Sequence, residues 1–260
     1  MSGGEPGLAR TDRRAAGDGR RPRELPAFTL ARSRRARRPR LTIRPDGSLQ
    51  VTLPLRAPER WAAELVGDRL AWIDRHQGRV LALRAALAER PPLGGGRLLP
   101  LGGIPHAVTL VPAPKGVRRS RVVHDDLPEP VLRIAVSASD PRPPAEVLEA
   151  WLRGNAREAL ARRVSLRARD LAVEPRSLAI RDQRSRWGSA SRRGAVSFNW
   201  RLVLAPAWVL DYVVVHELAH LRDFSHSVRF WSLVRDLVPE ADAARGWLRA
   251  HDHELRHAID

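Results

Sequence analysis

Residues 216–220 read His-Glu-Leu-Ala-His, with two imidazoles four positions apart and a carboxylate directly after the first. On a helix this spacing places both imidazoles on one face, within reach of a single metal ion. Glu217 would lie about 100° around the helix from His216, so its carboxylate could act on a water at the metal without binding the metal. Burying these side chains without partners would cost several kcal/mol, whereas a metal and its water would satisfy them. The pattern favours His216 and His220 as metal ligands and Glu217 as catalytic base.

A third metal ligand must come from elsewhere in the chain, and His226 is the preferred candidate. It follows His216 by ten residues, and residues 223–225 are suited to a helix exit that turns the chain back towards the metal. Three histidines would leave the fourth tetrahedral position for water, which is the open arrangement of a catalytic zinc.

Glu240 is the alternative third ligand. It lies twenty residues after His220, a separation that suits a His-His-Glu site with the carboxylate on a following helix. Its position after Pro239 is explained equally well by an acid in the first turn of a helix. Metzincins share the ten-residue offset of His226, but they need a glycine where Asp223 stands and a methionine turn downstream. The only methionine is Met1, so the chain is not a metzincin.

A second match to the same pattern occurs at residues 253–257, His-Glu-Leu-Arg-His. Its flanks are polar, and it ends three residues before the C-terminus with nothing after it to supply a third ligand. We expect a solvated tail there, not a metal site.

The elements around the first motif can be predicted from its flanks. Residues 208–221 are apolar almost throughout, so a helix here must be buried, and Pro206 can open it. Alternating residues predict strands at 177–182 and 195–200. Between these strands lies a polar and basic connection, residues 184–194.

The first half of the chain has the pattern of strands with helices on one side. Alternation around Asp46-Gly47 predicts a β-hairpin, and residues 28–30 can add a strand. From about Pro58 to Leu87 the pattern is helical, and Gly78 is expected to divide two helices that cover the sheet. The remaining strand predictions are residues 41–44 and 48–54 of the hairpin, 107–111, 121–124 and 131–136.

Three histidines of this half, His76, His106 and His124, stand singly. Histidines in such positions are more often surface or hydrogen-bonded structural residues than metal ligands. We therefore assign them no site.

Residues 140–144 contain three prolines and provide the best internal boundary, since proline breaks both helix and sheet. We expect a disordered basic arm over 1–25, a β-rich N-terminal domain over 26–140 and a metal-binding domain over 141–257. The predicted fold class is α+β: an N-terminal mixed β-sheet region with helices, then a zincin-like C-terminal domain with the His-Glu-x-x-His helix.

Composition limits the class of protein. The 260 residues are 43% apolar, enough to bury a core, and none is cysteine. Disulfides, thiolate ligands and cysteine nucleophiles are therefore excluded, and any metal must sit on His, Asp or Glu. Without a secretory signal or an apolar run near the ~20 residues of a membrane span, we expect a cytoplasmic protein that does not enter membranes.

The net charge of +17 favours contact with polyanions. Residues 1–40 hold twelve arginines and four acids, a local charge of +8, so the basic arm could make nonspecific polyanion contacts. Aromatic residues that would stack on bases are not interleaved with these arginines.

Several motifs follow one another in the second half of the chain. They are Arg186-Trp187-Gly188-Ser189, Asn199-Trp200-Arg201-Leu202, Ala205-Pro206, residues 211–221, His226-Ser227 and Phe230-Trp231. With these motifs the chain resembles the YgjP-like metallopeptidase family, which is related to the SprT-like proteins, over roughly residues 26–250.

The resemblance implies a zinc site of His216, His220 and His226 with Glu217 as catalytic base. The family's Arg-Trp-Gly-Ser segment usually continues with cysteine, and here Ala190 stands in that position. Any role that needs a thiol is therefore absent. We expect Arg186 and Ser189 to bind substrate near the metal; a structural role for the segment, with Trp187 packing and Gly188 turning the hairpin, remains the alternative.

The resulting prediction is a zinc-dependent hydrolase, most simply a metallopeptidase in which Glu217 activates a zinc-bound water. The alternative substrate is a nucleotide, because some family assignments point to nucleotide pyrophosphohydrolase activity and nearby arginines suit phosphate. These arginines are Arg181, Arg184, Arg186, Arg192 and Arg193. A third alternative is a DNA-associated or scaffold protein with a structural zinc, which would use the basic arm for binding.

Overall fold

The structure is a computed structural model, and it describes residues 25–44, 46–126 and 128–260. Residues 1–24 of the predicted basic arm lie outside the described residues. The chain divides into two compact units, Met1–Ala86 and Leu87–Asp260.

The first unit is a three-stranded sheet with helices. Its elements are β1 (Phe28–Ser33), β2 (Arg40–Ile43), β3 (Leu49–Pro54), α1 (Arg60–Gly67) and α2 (Leu70–Ala88). The strand order is β1-β3-β2, with β1 parallel and β2 antiparallel to β3. The predicted hairpin is confirmed: Leu41 pairs with Val51, and Gly47 takes a positive φ of 84° in the turn.

The core of this unit follows from the alternation of β3. Its inward residues pack with apolar residues of α1 and α2, as expected for helices that cover a sheet. The buried set is Leu49, Val51, Leu53, Ala57, Ala62, Val66 and Ile73. The predicted helix break at Gly78 is wrong, because the helices part at residues 68–69 and α2 continues through Gly78. One glycine costs a helix only about 1 kcal/mol, which the packed helix tolerates.

The second unit contains two mixed sheets and four α-helices among the described residues. Its strands are β4 (Leu98–Leu101), β5 (Ile104–Pro112), β6 (Arg121–Asp125), β7 (Val131–Val136), β8 (Ser177–Arg181), β9 (Gly188–Ala190) and β10 (Ala195–Asn199). Its helices are α3 (Pro144–Asp170), a 3₁₀ helix (Trp200–Leu204), α4 (Ala207–Ala219), α5 (Val228–Leu237) and α6 (Ala241–Arg256). The sheet orders are β4-β5-β7-β6 and β8-β10-β9.

One continuous core holds the second unit together. Residues of the four-stranded sheet, such as Leu132, are buried in the same core as Leu152 of α3, Phe198 of β10 and Val214 of α4. Residues before and after the prolines at 140–144 therefore belong to one packed body, and the division of the chain falls at Ala86 and Leu87, not at 140 and 141.

The fold class is α+β with mixed sheets, as predicted. Within the described ranges, none of the helices is long and apolar enough to cross a membrane.

Candidate metal centre

Helix α4 carries the first two histidines of the site. Pro206 immediately precedes it, a position where the missing backbone N–H costs no helical hydrogen bond. Ten of the thirteen helix residues are buried, so the helix is fixed by packing on nearly all sides. His216 and Glu217 lie in its last turn, and His220 follows as the C-terminal cap residue.

Three imidazoles converge beyond the end of this helix. The ring centroids of His216 and His220 lie 4.9 Å apart, and His226 lies 5.2 Å and 4.8 Å from them. The Nε2 atoms of His216 and His226 are separated by 3.3 Å. Ligands about 2.0–2.1 Å from a tetrahedral zinc lie roughly 3.3 Å from each other, so this spacing fits one ion.

Asp223 organises the turn that brings His226 back to the helix. Its carboxylate accepts hydrogen bonds from the backbone N–H of Ser225, at 2.9 Å, and from the Ser227 hydroxyl. Ser227 in turn caps α5 by accepting a hydrogen bond from the Phe230 N–H at 3.2 Å. The turn is therefore built from short polar side chains that bond to their own backbone.

His216 and His220 are held in the neutral form that binds metals. The Nδ1 of His220 donates to the carbonyl oxygen of Asp223 at 3.1 Å, which leaves its Nε2 free for a ligand bond. Burial, together with the neighbouring His220 and His226 rings, lowers the pKa of His216 to about 3. Burial also lowers the pKa of His220. Neutral imidazoles with free lone pairs are the form in which histidine coordinates zinc.

Aromatic side chains fix the orientation of the three rings. Phe230 is fully buried and stacks on His220, with ring centroids 4.5 Å apart at 28°. Trp231 stacks on His226 at 5.9 Å and 27°. The Tyr212 hydroxyl lies 3.5 Å from the Nδ1 of His216, at the outer limit of a hydrogen bond. The rings are therefore positioned by packing before any ligand binds.

Glu217 is the buried carboxylate beside this cluster, with only 7% of its surface exposed. Gly188 of β9 lies directly against it: a Cβ added there would come within 2.6 Å of the Glu217 Cγ and 2.7 Å of its Oε1. Burial raises the pKa of Glu217 to about 7, and the charge of Arg186 acts in the opposite direction. A carboxyl group in this range can both take up and release a proton near neutral pH.

A cavity of ≈ 270 Å³ opens onto the site. It is lined by His216 and Glu217 and by three arginines, Arg186, Arg245 and Arg249. The two arginines of α6 are absent from the sequence prediction because no motif connects them with residues 216–226. Their helix brings them to the cavity only in the folded chain.

The other residues of the Arg-Trp-Gly-Ser segment have structural contacts. The Ser189 hydroxyl lies 2.8 Å from the hydroxyl of Ser197 across the β9–β10 pair, and it is not among the residues that line the cavity. Trp187 lines the cavity beneath the Arg256 guanidinium, which lies 4.6 Å from its ring centroid. Of the arginines predicted to suit phosphate, Arg186 is the one that lines the cavity.

Glu240, the alternative third ligand, is exposed at the N-terminus of α6 and is not part of the histidine cluster. The structure therefore brings His226, and not Glu240, to His216 and His220.

The expected solvated tail at residues 253–257 is wrong. Leu255 and Ala258 are buried in the core of the second unit, and Arg97 donates to the Ala258 carbonyl at 3.0 Å. Apolar residues at the end of α6 and after it thus pack into the core, and this packing fixes the C-terminal part of the helix. Two clusters of three side chains able to hold a metal occur among the described residues, and His253 and His257 belong to neither.

Three converging imidazoles beside a buried carboxylate are the residues expected of a metal-dependent hydrolase. The model of the YgjP-like metallopeptidase domain matches residues 37–251, so the chain belongs to the YgjP-like family. This match confirms the resemblance found in the motifs. The family is described as a metallopeptidase domain, which is a class of metal-dependent hydrolase. A search of curated proteins finds no match to the chain.

Proposed function

We propose that the protein is a zinc-dependent metallopeptidase with a zincin-like active-site helix. His216, His220 and His226 would hold the zinc, since three imidazole nitrogen donors at this spacing suit that ion. The observation that carries the proposal is Glu217: a buried carboxylate beside the donors, with its pKa raised to about 7. A purely structural zinc would need no such base and is normally closed by four protein ligands.

The residues of the chain divide the work of hydrolysis between them. When bound, zinc would supply a Lewis acid that polarises the scissile carbonyl and acidifies water. Glu217 takes the proton of the attacking water and passes it to the leaving amine. Gly188 leaves the space that the Glu217 carboxylate occupies, and Arg186 offers a guanidinium to an anionic group of the substrate.

A nucleotide is the second candidate substrate, and the arginines of the cavity favour it. Arg186, Arg245 and Arg249 converge on the same space as Glu217, and guanidinium groups bind phosphate oxygens bidentately. The same three side chains could instead bind a peptide carboxylate. The substrate class is therefore decided by assay.

The test is Glu217→Gln in the full chain loaded with zinc. We expect zinc content to stay at the wild-type level, since Glu217 is not a ligand, and hydrolysis to fall roughly 10²–10⁴-fold. Release of peptides from casein and release of phosphate or pyrophosphate from nucleoside triphosphates are both measured. If Glu217→Gln loses the release of peptides from casein, the peptidase is supported. If it loses the release of phosphate or pyrophosphate, the nucleotide hydrolase is supported.

Glu240→Gln serves as the matched control, because the same change is made at the exposed carboxylate that is the alternative ligand. It should leave zinc content and hydrolysis unchanged. Hydrolysis that survives in Glu217→Gln would refute Glu217 as the base, and zinc lost from Glu240→Gln would refute the three-histidine ligand set.

A further inference from the structure

A second group of metal-binding side chains lies in the four-stranded sheet. His106 is on β5, His124 is on β6, and Asp126 directly follows β6; one donor atom from each lies within 4.8 Å of the others. We propose that these three residues form a second divalent-metal site, for which zinc is the preferred ion. The proposal is independent of the catalytic function proposed above.

The sheet register brings these residues together. β5 and β6 do not pair with each other but lie on opposite sides of β7, one parallel and one antiparallel to it. Ala107 and Asp125 both pair with Val131, so the neighbouring His106 and His124 reach the same end of β7. Sequence alone treats the two histidines as single structural residues because this register cannot be read from it.

The distances between the donor atoms suit one tetrahedral ion. The Nε2 atoms of His106 and His124 lie 3.0 Å apart, and the Oδ1 of Asp126 lies 2.9 Å from the Nε2 of His124 and 3.7 Å from that of His106. Ligands of a tetrahedral zinc are separated by roughly 3.3 Å. The two imidazoles favour zinc over magnesium or calcium, which are bound mainly by oxygen ligands.

The partner of the other His106 nitrogen fixes its tautomer. Its Nδ1 lies 2.8 Å from the carbonyl oxygen of Ile104, and a carbonyl can only accept, so Nδ1 carries the proton. In that tautomer the His106 Nε2 is an acceptor directed at the His124 Nε2. A ring nitrogen that donates to a backbone carbonyl is the usual outer partner of a metal-bound histidine.

A single proton is shared among the facing donor atoms of this cluster. His124 has one Nε2 proton to offer, and both the His106 Nε2 and the Asp126 carboxylate lie within reach of it. Protonating both rings would place two cations 3.0 Å apart, although His106 is only 2% exposed. A divalent cation would instead bind one ligand atom from each of the three side chains.

The cluster has a route for entry of an ion. All three side chains line a cavity of ≈ 550 Å³, whose wall on the side of α3 includes Asn155 and Arg162. Asp126 is exposed at the edge of the site, and three protein donors leave a fourth position towards the cavity. Donor type, spacing, outer partner and access thus agree.

The experiment measures zinc in the full chain, stripped with a chelator, reloaded with excess zinc sulfate and separated from free metal. We expect roughly two equivalents in the wild type and roughly one in each of Asp126→Asn, His124→Gln and His220→Gln. The double variant His124→Gln/His220→Gln should hold none. Asp126→Asn alters an exposed side chain, so circular dichroism should show a wild-type fold even if His124→Gln is unstable.

His251→Gln is the matched control, because the Nδ1 of His251 makes the same contact with a backbone carbonyl, at 2.8 Å, but the ring belongs to no cluster. It should keep both equivalents. The second site would be overturned if the wild type bound only one equivalent of zinc, and if that equivalent were lost in His220→Gln but kept in Asp126→Asn. If the single equivalent were instead lost in Asp126→Asn and kept in His220→Gln, zinc binding at the proposed catalytic centre would be overturned.

Discussion

Gly188 stands where a side chain would strike the proposed catalytic base. Its backbone does not take a positive φ, so alanine can adopt the local conformation and the only conflict is steric. An added Cβ would overlap the Cγ and Oε1 atoms of Glu217 at 2.6–2.7 Å, and the carboxylate would have to move. A displacement of about 1 Å at a catalytic group can cost roughly 10²-fold in rate.

We therefore expect Gly188→Ala to keep its zinc and to lose about 100-fold in kcat/KM for whichever substrate is cleaved. Metal content and steady-state kinetics measure the two effects separately. Gly246→Ala is the matched control, since a Cβ at Gly246 meets nothing within 4 Å, and its activity should equal that of the wild type. Full activity in Gly188→Ala would show that the space at Gly188 is not needed for the position of Glu217.

At the scale of elements, α3 fixes the position of α4 through a charged contact. Asp211 of α4 is buried and accepts hydrogen bonds from the Nε and Nη2 of Arg167, at 2.9 Å and 2.5 Å, while Arg163 lies 3.2 Å away. Hydrogen bonding to Asp211 raises the pKa of Arg167. Because Asp211 lies five residues before His216, this contact anchors the helix that carries the metal ligands.

Asp211→Asn should destabilise the protein by about 2–3 kcal/mol, because Arg163 and Arg167 lose their buried counter-charge; partial exposure of the arginines reduces the cost below that of a fully buried pair. Urea unfolding at neutral pH measures the change. Asp170→Asn removes the other, more exposed partner of Arg167, and its effect should stay within about 0.5 kcal/mol. Equal effects of the two variants would contradict an anchoring role for Asp211.

The elements that sequence predicted are those with strong local signals. The hairpin of the first unit and the buried helix α4 have clear alternation or an apolar run, and both occur where expected. β4 escaped prediction because Pro100 interrupts it, which an edge strand tolerates, and β9 is only three residues long. The histidine cluster at α4 was predictable because the spacing of its ligands is local, whereas the second cluster depends on sheet register.

At the scale of the whole molecule, the positive charge is distributed differently from the predicted arm. Residues 1–24 hold six arginines and four acids, a net charge of only +2. The turn between β1 and β2 contains Arg34, Arg35, Arg37 and Arg38, all exposed, and no acid. This turn is therefore the denser source of positive field, and we expect it to dominate any nonspecific contact with polyanions.

Replacing these four arginines with glutamine should weaken binding to single-stranded DNA more than deleting residues 1–24. The slope of log K against log salt falls in magnitude by about 0.7 for each phosphate contact that is lost. The glutamine variant would lose up to four such contacts. Fluorescence anisotropy across a salt series measures the slope. Lysine in the same four positions should restore it, because counterion release depends on charge and not on guanidinium shape. If the deletion weakened DNA binding more than the glutamine variant did, the arm and not the turn would be the main polyanion contact.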